Sequence, residues 1–342
     1  MVNGEAAVTK KKIKVVQLGL GPVGCGIAKL MLQKSCLEIV GAIDLVFAGK
    51  DLGVVAGLGQ NLGIIVSENA NEVFKKTMPD IVVQATGSFL KKVYPQLETA
   101  VRAGINVVST CEELSYPYRS QPVLSAQLDN LAKEHNVSIL STGVNPGFLM
   151  DAWPLAMTAV CQDVQEIRAT RIQDAKPRRL PFQKKIGAGK TVAEFNQLVK
   201  EGTLRHMGLP ESIAMIASAM KWELDDIKET IEPVIAQMRV QSAFLSVEPG
   251  QVSGVKQTGR GIKDGKDIIV LEFQAYLGAE DSFDAVSIIG TPNIETVIKG
   301  GTHGDLATIA MIVNAIPRVV DGKAGLLTMK DMPLVYTLMG NT

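Results

Sequence analysis

Gly19-Leu20-Gly21-Pro22-Val23-Gly24 follows a short apolar run and opens an amphipathic stretch. Glycine is needed there for three reasons: a tight turn, close approach of a pyrophosphate to the backbone, and close packing of helix on strand. The helix start, with Pro22 and Val23, offers free N–H groups and a partial positive charge to phosphates. Asp44 closes the second apolar run, 20 residues after Gly24, where a carboxylate accepts hydrogen bonds from a ribose 2′-OH and repels a 2′-phosphate. NAD is therefore favoured over NADP as cofactor, with Lys50 the one nearby cation that could reach a 2′-phosphate. Thr86 and Gly87 after the third apolar run, and Thr110 after the next, complete the cofactor candidates.

A second chemistry is offered by Thr110-Cys111-Glu112-Glu113, at the carboxyl end of a parallel strand, where ligands of open α/β sheets collect. A lysine there would assist hydroxyl or carbonyl chemistry. A carboxylate instead stabilises the iminium formed when an amine is oxidised, and can take a proton from the ammonium or from attacking water. Glu112 is placed ahead of Glu113 for this role. The competing reading is structural, because Ser109-x-x-Glu112 and Thr110-x-x-Glu113 both fit a helix capping box.

Further candidates carry equally plain alternatives. Asn145 and Phe148, within Gly143-Val144-Asn145-Pro146-Gly147-Phe148, either line a cleft or form an interdomain turn. Arg168 and Arg171, three apart on an expected strand, should face opposite sides, and one of them can clamp a substrate carboxylate. Thr302 and His303 precede a helix and either contact substrate or cap that helix. The basic run from Lys176 to Lys185, with Arg178 and Arg179, reads as a solvated loop.

The elements that must position these groups alternate from residue 13 onward. Apolar runs at 13–18, 37–43, 81–84, 105–109 and 137–141 read as strands, with helices at 24–33, 90–103 and 121–135 between them. Fully apolar strands interleaved with amphipathic helices imply a doubly wound parallel sheet of Rossmann type, covered on both faces. Beyond Pro146 the rhythm changes to a strand at 164–173, a helical stretch over 191–241, and strands at 252–257, 267–276 and 284–290. A Gly-rich connection at 259–267 predicts a hairpin there. The chain is thus α/β, with a dinucleotide domain at 1–147 and a substrate and dimerisation α+β domain at 148–301 carrying a mixed or antiparallel sheet. A helix and tail at 302–342 are expected to return to the first domain. The sheet strands of 252–290 need a covered face, which predicts a homodimer.

Bulk properties exclude several classes. The 342 residues carry 35 basic and 35 acidic side chains, so no field points to nucleic acid or an anionic membrane. Four cysteines without a CxxC pair, and three histidines, offer no zinc cluster and read as reduced thiols of a cytoplasmic protein. The polar segment 1–12 and the brief apolar run after it form neither a signal peptide nor a membrane span.

At Gly-Leu-Gly-Pro-Val-Gly, Gly-Ala-Ile-Asp, Cys-Glu-Glu-Leu-Ser-Tyr-Pro and Gly-Val-Asn-Pro-Gly-Phe the chain resembles the 2,4-diaminopentanoate dehydrogenases and the native amine dehydrogenases related to them. The resemblance spans nearly the whole chain and implies NAD(P)-dependent oxidative deamination of an amine to a 4-oxo product with release of ammonia. It also implies a homodimer, a catalytic glutamate at Glu112 or Glu113, and carboxylate-binding residues at Arg171 and Thr302. The first domain more distantly resembles dihydrodipicolinate reductase. That alternative lacks its His-His segment here, and Asp174-Ala175-Lys176-Pro177 is a superficial echo of its second-domain motif. An NAD-binding sensor without turnover is the other alternative, and it would have no use for an acidic residue beside the nicotinamide.

Overall fold

The computed structural model describes residues 11–338, so most of the polar segment 1–12 lies outside the described residues. The first half runs β1 (Ile13–Leu18), α1 (Pro22–Met31), β2 (Leu37–Ile43), α2 (Leu52–Val55), α3 (Ala70–Thr77), β3 (Ile81–Gln84), α4 (Leu90–Arg102), β4 (Asn106–Ser109), a 3-10 turn at Glu112–Ser115, α5 (Pro122–Glu134) and β5 (Ser138–Ser141). The expected strands and helices are all present, shifted by a residue or two at their ends.

The second half runs α6 (Ala152–Thr158), β6 (Asp163–Asp174), α7 (Leu180–Lys185), α8 (Val192–Lys200), α9 (Leu209–Met220), β7 (Asp226–Ile235), the short ribbon β8 (Val240–Gln241) and β9 (Ser246–Val247), β10 (Val252–Lys263), β11 (Lys266–Tyr276), β12 (Phe283–Thr291), β13 (Ile294–Lys299), α10 (Gly304–Val320) and β14 (Gly325–Leu327). The helical expectation over 191–241 fails beyond Met220. Ile227, Glu229 and Ile231 share one face of β7, and Pro233 is tolerated because β7 is an edge strand of its sheet. The hairpin expectation holds. β10 and β11 pair antiparallel around Asp264 (φ +50°) and Gly265 (φ +71°), the positive-φ pair that a two-residue turn requires.

The parallel sheet has the order β14-β5-β4-β3-β1-β2. One face is covered by α3, α4 and α5, whose Phe74, Leu97 and Leu128 pack on Val16, Val82 and Val107. The other is covered by α1 and α10, whose Ile27 and Ile312 pack on Val15, Val83 and Leu140. The chain thus returns to its first sheet and adds β14 as an edge strand that the sequence did not announce. The mixed second sheet has the order β13-β12-β6-β11-β10-β7, with β6 parallel to β11 and antiparallel to β12. Ile167, Leu271 and Phe273 on one face bury against α8 and α9 through Phe195, Leu209 and Ile213. The opposite face carries Arg168, Ile289 and Val297, all exposed.

Candidate active site

A cleft of about 420 Å³ lies between the carboxyl ends of β4 and β5, the start of α1, and the second sheet with α7. Gly21, Pro22, Val23 and Gly24 line one end of it, with Gly87 and Thr110 beside them. Gly19 adopts φ +93°, and a Cβ there would sit 2.5 Å from the Ala85 carbonyl oxygen. A Cβ at Gly24 would strike the Gly19 carbonyl. Gly21 differs, because a Cβ there meets no protein atom within 4 Å. A residue kept bare beside open space, at the N-cap of a helix whose first N–H groups lack intrahelical partners, fits a phosphate cradle. The residues present fit a dinucleotide.

Asp44 does not line the cleft. Its Oδ2 accepts from Leu20 N at 2.8 Å, and its Oδ1 accepts from Val46 N at 2.8 Å and Phe47 N at 3.3 Å. The carboxylate thus ties the glycine loop to the end of β2, and of its roughly four lone-pair sites three are taken. Lys50 lies over the Phe47 ring, 5.6 Å from its centroid. Thr86 is exposed and hydrogen-bonded to Gln84 and to Gln96, outside the cleft lining.

The two glutamates part company. Glu113 is buried, with Oε2 accepting from Leu90 N at 2.6 Å and Oε1 accepting from Gln121 Nε2 at 3.0 Å. It serves the first N–H of α4 and the N-cap residue of α5 together, so two helix starts stabilise its charge. Neither sequence-suggested capping box forms. Cys111 caps the Glu112–Ser115 turn without a side-chain bond, and Ser109 Oγ instead accepts from Cys111 N at 3.0 Å. Glu112 is half-buried and lines the cleft, and among the described residues its carboxylate has no hydrogen-bond or ion-pair partner. The neighbouring Cys111 thiol is pushed up to about 12 by burial, so it is no nucleophile.

The opposite wall is cationic. Arg171, Gln173, Arg178, Arg179, Lys185 and Arg205 all line it. Arg171 is only 2% exposed. Its Nη1 lies 3.1 Å from Asp284 Oδ1 and 3.0 Å from Thr302 Oγ1, and its Nη2 donates to the Thr302 carbonyl at 2.8 Å. Burial lowers its guanidinium to about 10, with Asp284 opposing, so it stays charged at neutral pH. Arg168 faces the other side of the sheet and pairs with Glu166, as the strand spacing required.

Several expectations are corrected here. Thr302 lies outside the cleft lining and is spent on Arg171 and on Asp284, to which its N and Oγ1 donate at 2.7 and 2.9 Å. His303 is exposed and caps α10, accepting weakly from Leu306 N at 3.4 Å. Phe148 packs against the second core instead of lining the cleft, because the chain turns inward after Gly147. The run 176–185 is a solvated loop only in part: Lys176, Arg179, Lys184 and Lys185 are exposed, but 180–185 is the helix α7 and Arg178 is withdrawn from solvent. Arg178 is buried over the Phe182 ring, 4.1 Å to its centroid, with Nη2 3.1 Å from Asp305 Oδ1, and Arg179 shares Asp305 at 3.3 Å. Burial lowers the Arg178 guanidinium, and Asp305 opposes this.

Two groups escaped the sequence reading altogether. His206 lines the cleft with its backbone pinned by Gln257, which accepts from His206 N at 2.8 Å and donates to its carbonyl at 2.7 Å. Burial, helped by Lys185 and Arg171, pushes its imidazole down to about 3, so it is neutral at any working pH. Glu211, in the first turn of α9, is buried with Oε2 unpartnered, and burial pushes it up to about 7. Neither stands in a motif: His206 is brought to the cleft by its bonds to Gln257 of β10, and Glu211 lies outside the cleft lining.

A glycine-opened cradle facing an unpartnered carboxylate at the carboxyl ends of parallel strands defines an oxidoreductase of the Rossmann class. Residues 148–342 match the family described as 2,4-diaminopentanoate dehydrogenase C-terminal domain. The chain is 36% identical to the 2,4-diaminopentanoate dehydrogenase of Acetoanaerobium sticklandii over 97% of its own length and 96% of that protein's. It is 24% identical to an amine dehydrogenase of Streptomyces virginiae over 94% and 96%. The amine dehydrogenase structure from Mycobacterium smegmatis superimposes with a TM-score of 0.83 at 26% identity, covering 96% of this chain and 98% of that one. The chain belongs to the 2,4-diaminopentanoate dehydrogenase family and is an enzyme of the amine-oxidising oxidoreductases. The match over 148–342 includes the cationic wall, whereas the 4-hydroxy-tetrahydrodipicolinate reductase of Carboxydothermus hydrogenoformans is 39% identical over only 26% of this chain.

Proposed function

We propose that the chain oxidatively deaminates a small amino-carboxylate of the 2,4-diaminopentanoate kind, giving a 4-oxo product and ammonia, and that it runs the reverse amination as well. One observation carries this: the same cleft is lined by Glu112, whose carboxylate has no partner among the described residues, and by the cations Arg178, Arg179 and Lys185. Such a cleft suits a ligand with an amine at one end and an anion at the other. We read 1–147 as the dinucleotide module, 148–301 as the substrate and dimerisation module, and 302–342 as the return segment.

A nicotinamide bound in the cleft supplies the hydride acceptor. Gly21, Val23 and Gly24 hold the phosphates, and Gly87 and Thr110 border the ring end. The Glu112 carboxylate takes a proton from the substrate ammonium and, being half-buried, releases it to solvent, so that it is ionised again beside the free amine whose carbon can be oxidised. It then faces the iminium so formed, and a negative charge held in a half-dry site favours that cation. Finally it accepts a proton from the water that adds to the iminium carbon and returns it to the amino nitrogen of the carbinolamine, whose C–N bond breaks as its hydroxyl loses a proton, releasing ammonia and leaving the carbonyl. Arg178, Arg179 and Lys185 bind the substrate carboxylate. Arg171, tied to Asp284 and Thr302, forms the floor of the cleft beneath them, and Thr302 supports it from outside the lining.

Glu112→Gln is expected to keep the fold and cofactor binding while turnover falls roughly a hundredfold or more, the scale for losing a general base or preorganised charge. Glu113→Gln should retain most turnover and show its cost in thermal stability, since it weakens two helix starts. Both variants within a few-fold of wild-type turnover would remove Glu112 from the chemistry.

NAD is the preferred cofactor, with NADP accepted less well, because the one lone-pair site left on Asp44 suits a 2′-hydroxyl. Steady-state kcat/KM with each cofactor should therefore favour NAD, and Asp44→Ala should shrink that ratio. An unchanged ratio would show that Asp44 serves the glycine loop alone.

The protein works as a homodimer through the open face of the second sheet, where Ile289 and Val297 are exposed. Light scattering should give twice the 36.6 kDa of the chain, and a particle of 36.6 kDa at working concentration contradicts this.

A further inference from the structure

Asn145 is 8% exposed and lines the cleft, yet neither its Nδ2 nor its Oδ1 finds a partner. Among the described residues no other side chain has two polar atoms buried and unpartnered. A primary amide carries two donors and two acceptor sites, so leaving all of them idle in a native interior calls for a partner outside the chain.

Local chemistry offers no remedy. An asparagine in a turn commonly accepts from the N–H two residues on. Here that N–H, of Gly147, donates to Asp151 Oδ2 at 2.8 Å, and the intervening Pro146 has none to give. Asp151 is itself buried and accepts from Ala152 N at 2.6 Å and from Ser212 Oγ at 2.8 Å. Thr308 Oγ1 accepts from Val144 N at 3.3 Å on the other side. The turn is held from both ends with its central amide left over. Thr142 Oγ1, on the same turn and also lining the cleft, is likewise buried without a partner.

This turn stands at the carboxyl end of β5, next to the Thr110-Glu112 segment that follows β4. In an open α/β sheet that is the crevice where the reactive ring of a dinucleotide lies. We propose that Asn145 pairs with the carboxamide of the nicotinamide, amide to amide, and so decides which ring face meets the substrate. Oδ1 accepts from the carboxamide N–H, and Nδ2 donates to its carbonyl. Turning the ring over would swing the carboxamide away from Asn145, so a single face is presented. The proposal rests on the dinucleotide reading of the cleft and is independent of whether the substrate is an amine.

The test is the dissociation constant, by titration, of NAD and of its 3-acetylpyridine analogue, which keeps the carbonyl but lacks the N–H donors. Wild type should prefer NAD. Asn145→Leu should weaken NAD about tenfold or more, the scale of losing a buried hydrogen bond, and bring the two ligands close to equal. Asn145→Asp, nearly isosteric, keeps an acceptor for the carboxamide N–H but repels the acetyl carbonyl, so the preference for NAD should widen. These opposite shifts are not expected of a disturbed turn, and if the leucine variant does not fold, the aspartate variant alone decides. Both variants leaving the NAD preference unchanged, whether affinities fall together or stay, overturns the proposal and assigns the amide to a water or a structural role. Wild type binding neither ligand overturns the dinucleotide reading together with it.

Discussion

The bond on which the site depends is the one from Leu90 N–H to the buried Glu113 carboxylate. It fastens the short Glu112–Ser115 turn to the start of α4, and the second oxygen fastens the same turn to Gln121 at the start of α5. The Glu113 N–H donates to the Ser88 carbonyl at 3.1 Å, closing the connection from the backbone side. With Glu113 held inward on three contacts, the adjacent Glu112 is left at the cleft without a partner. Two acidic neighbours thus differ in whether their carboxylates are bound, and the difference follows from which of them the helix starts can reach.

The far wall obeys a similar economy. A charge as buried as Arg171 persists only with a partner and satisfied hydrogen bonds, and Asp284 and Thr302 supply them from β12 and from the segment before α10. That network joins two strands to the return segment at the floor of the cleft. Arg178 and Arg179 share Asp305 at the start of α10, so the helix that covers the first sheet also steadies the cationic wall. The glycine-loop end and the cationic end of the cleft are therefore linked through α10, which packs against α1 on one side and carries Asp305 and Thr308 into the cleft on the other.

What the sequence disclosed was what is local. The glycine loop is legible because the turn, the close approach and the packing are all set within six residues, and the structure supplies a backbone reason for Gly19 and Gly24 and an open space for Gly21. The strands of the first sheet are legible because burial on both faces leaves them mostly apolar, with only scattered polar positions such as Gln17, Glu38 and Gln84. The choice between Glu112 and Glu113 was open, since the capping partner of Glu113 is 23 residues away and a nearer capping box fitted the letters equally well. Arg178 looked like one member of a solvated basic run until Phe182 and Asp305 were seen around it. β7 hid behind charged alternate residues and a proline that only an edge strand tolerates. His206 and Glu211 carry no signature at all, because their environment is made by tertiary packing.

The central claim is that this cleft is built for a cation developing at carbon and nitrogen, with a carboxylate where carbonyl and hydroxyl chemistry would want a lysine. The most direct measurement is NAD reduction, followed at the nicotinamide absorbance band, with 2,4-diaminopentanoate and with the matching 4-hydroxy compound, 2-amino-4-hydroxypentanoate. The two substrates share the carboxylate and the carbon chain and differ only in the group to be oxidised. The account predicts steady reduction with the amine and none above background with the alcohol; comparable rates with both, or reduction with the alcohol alone, would contradict it.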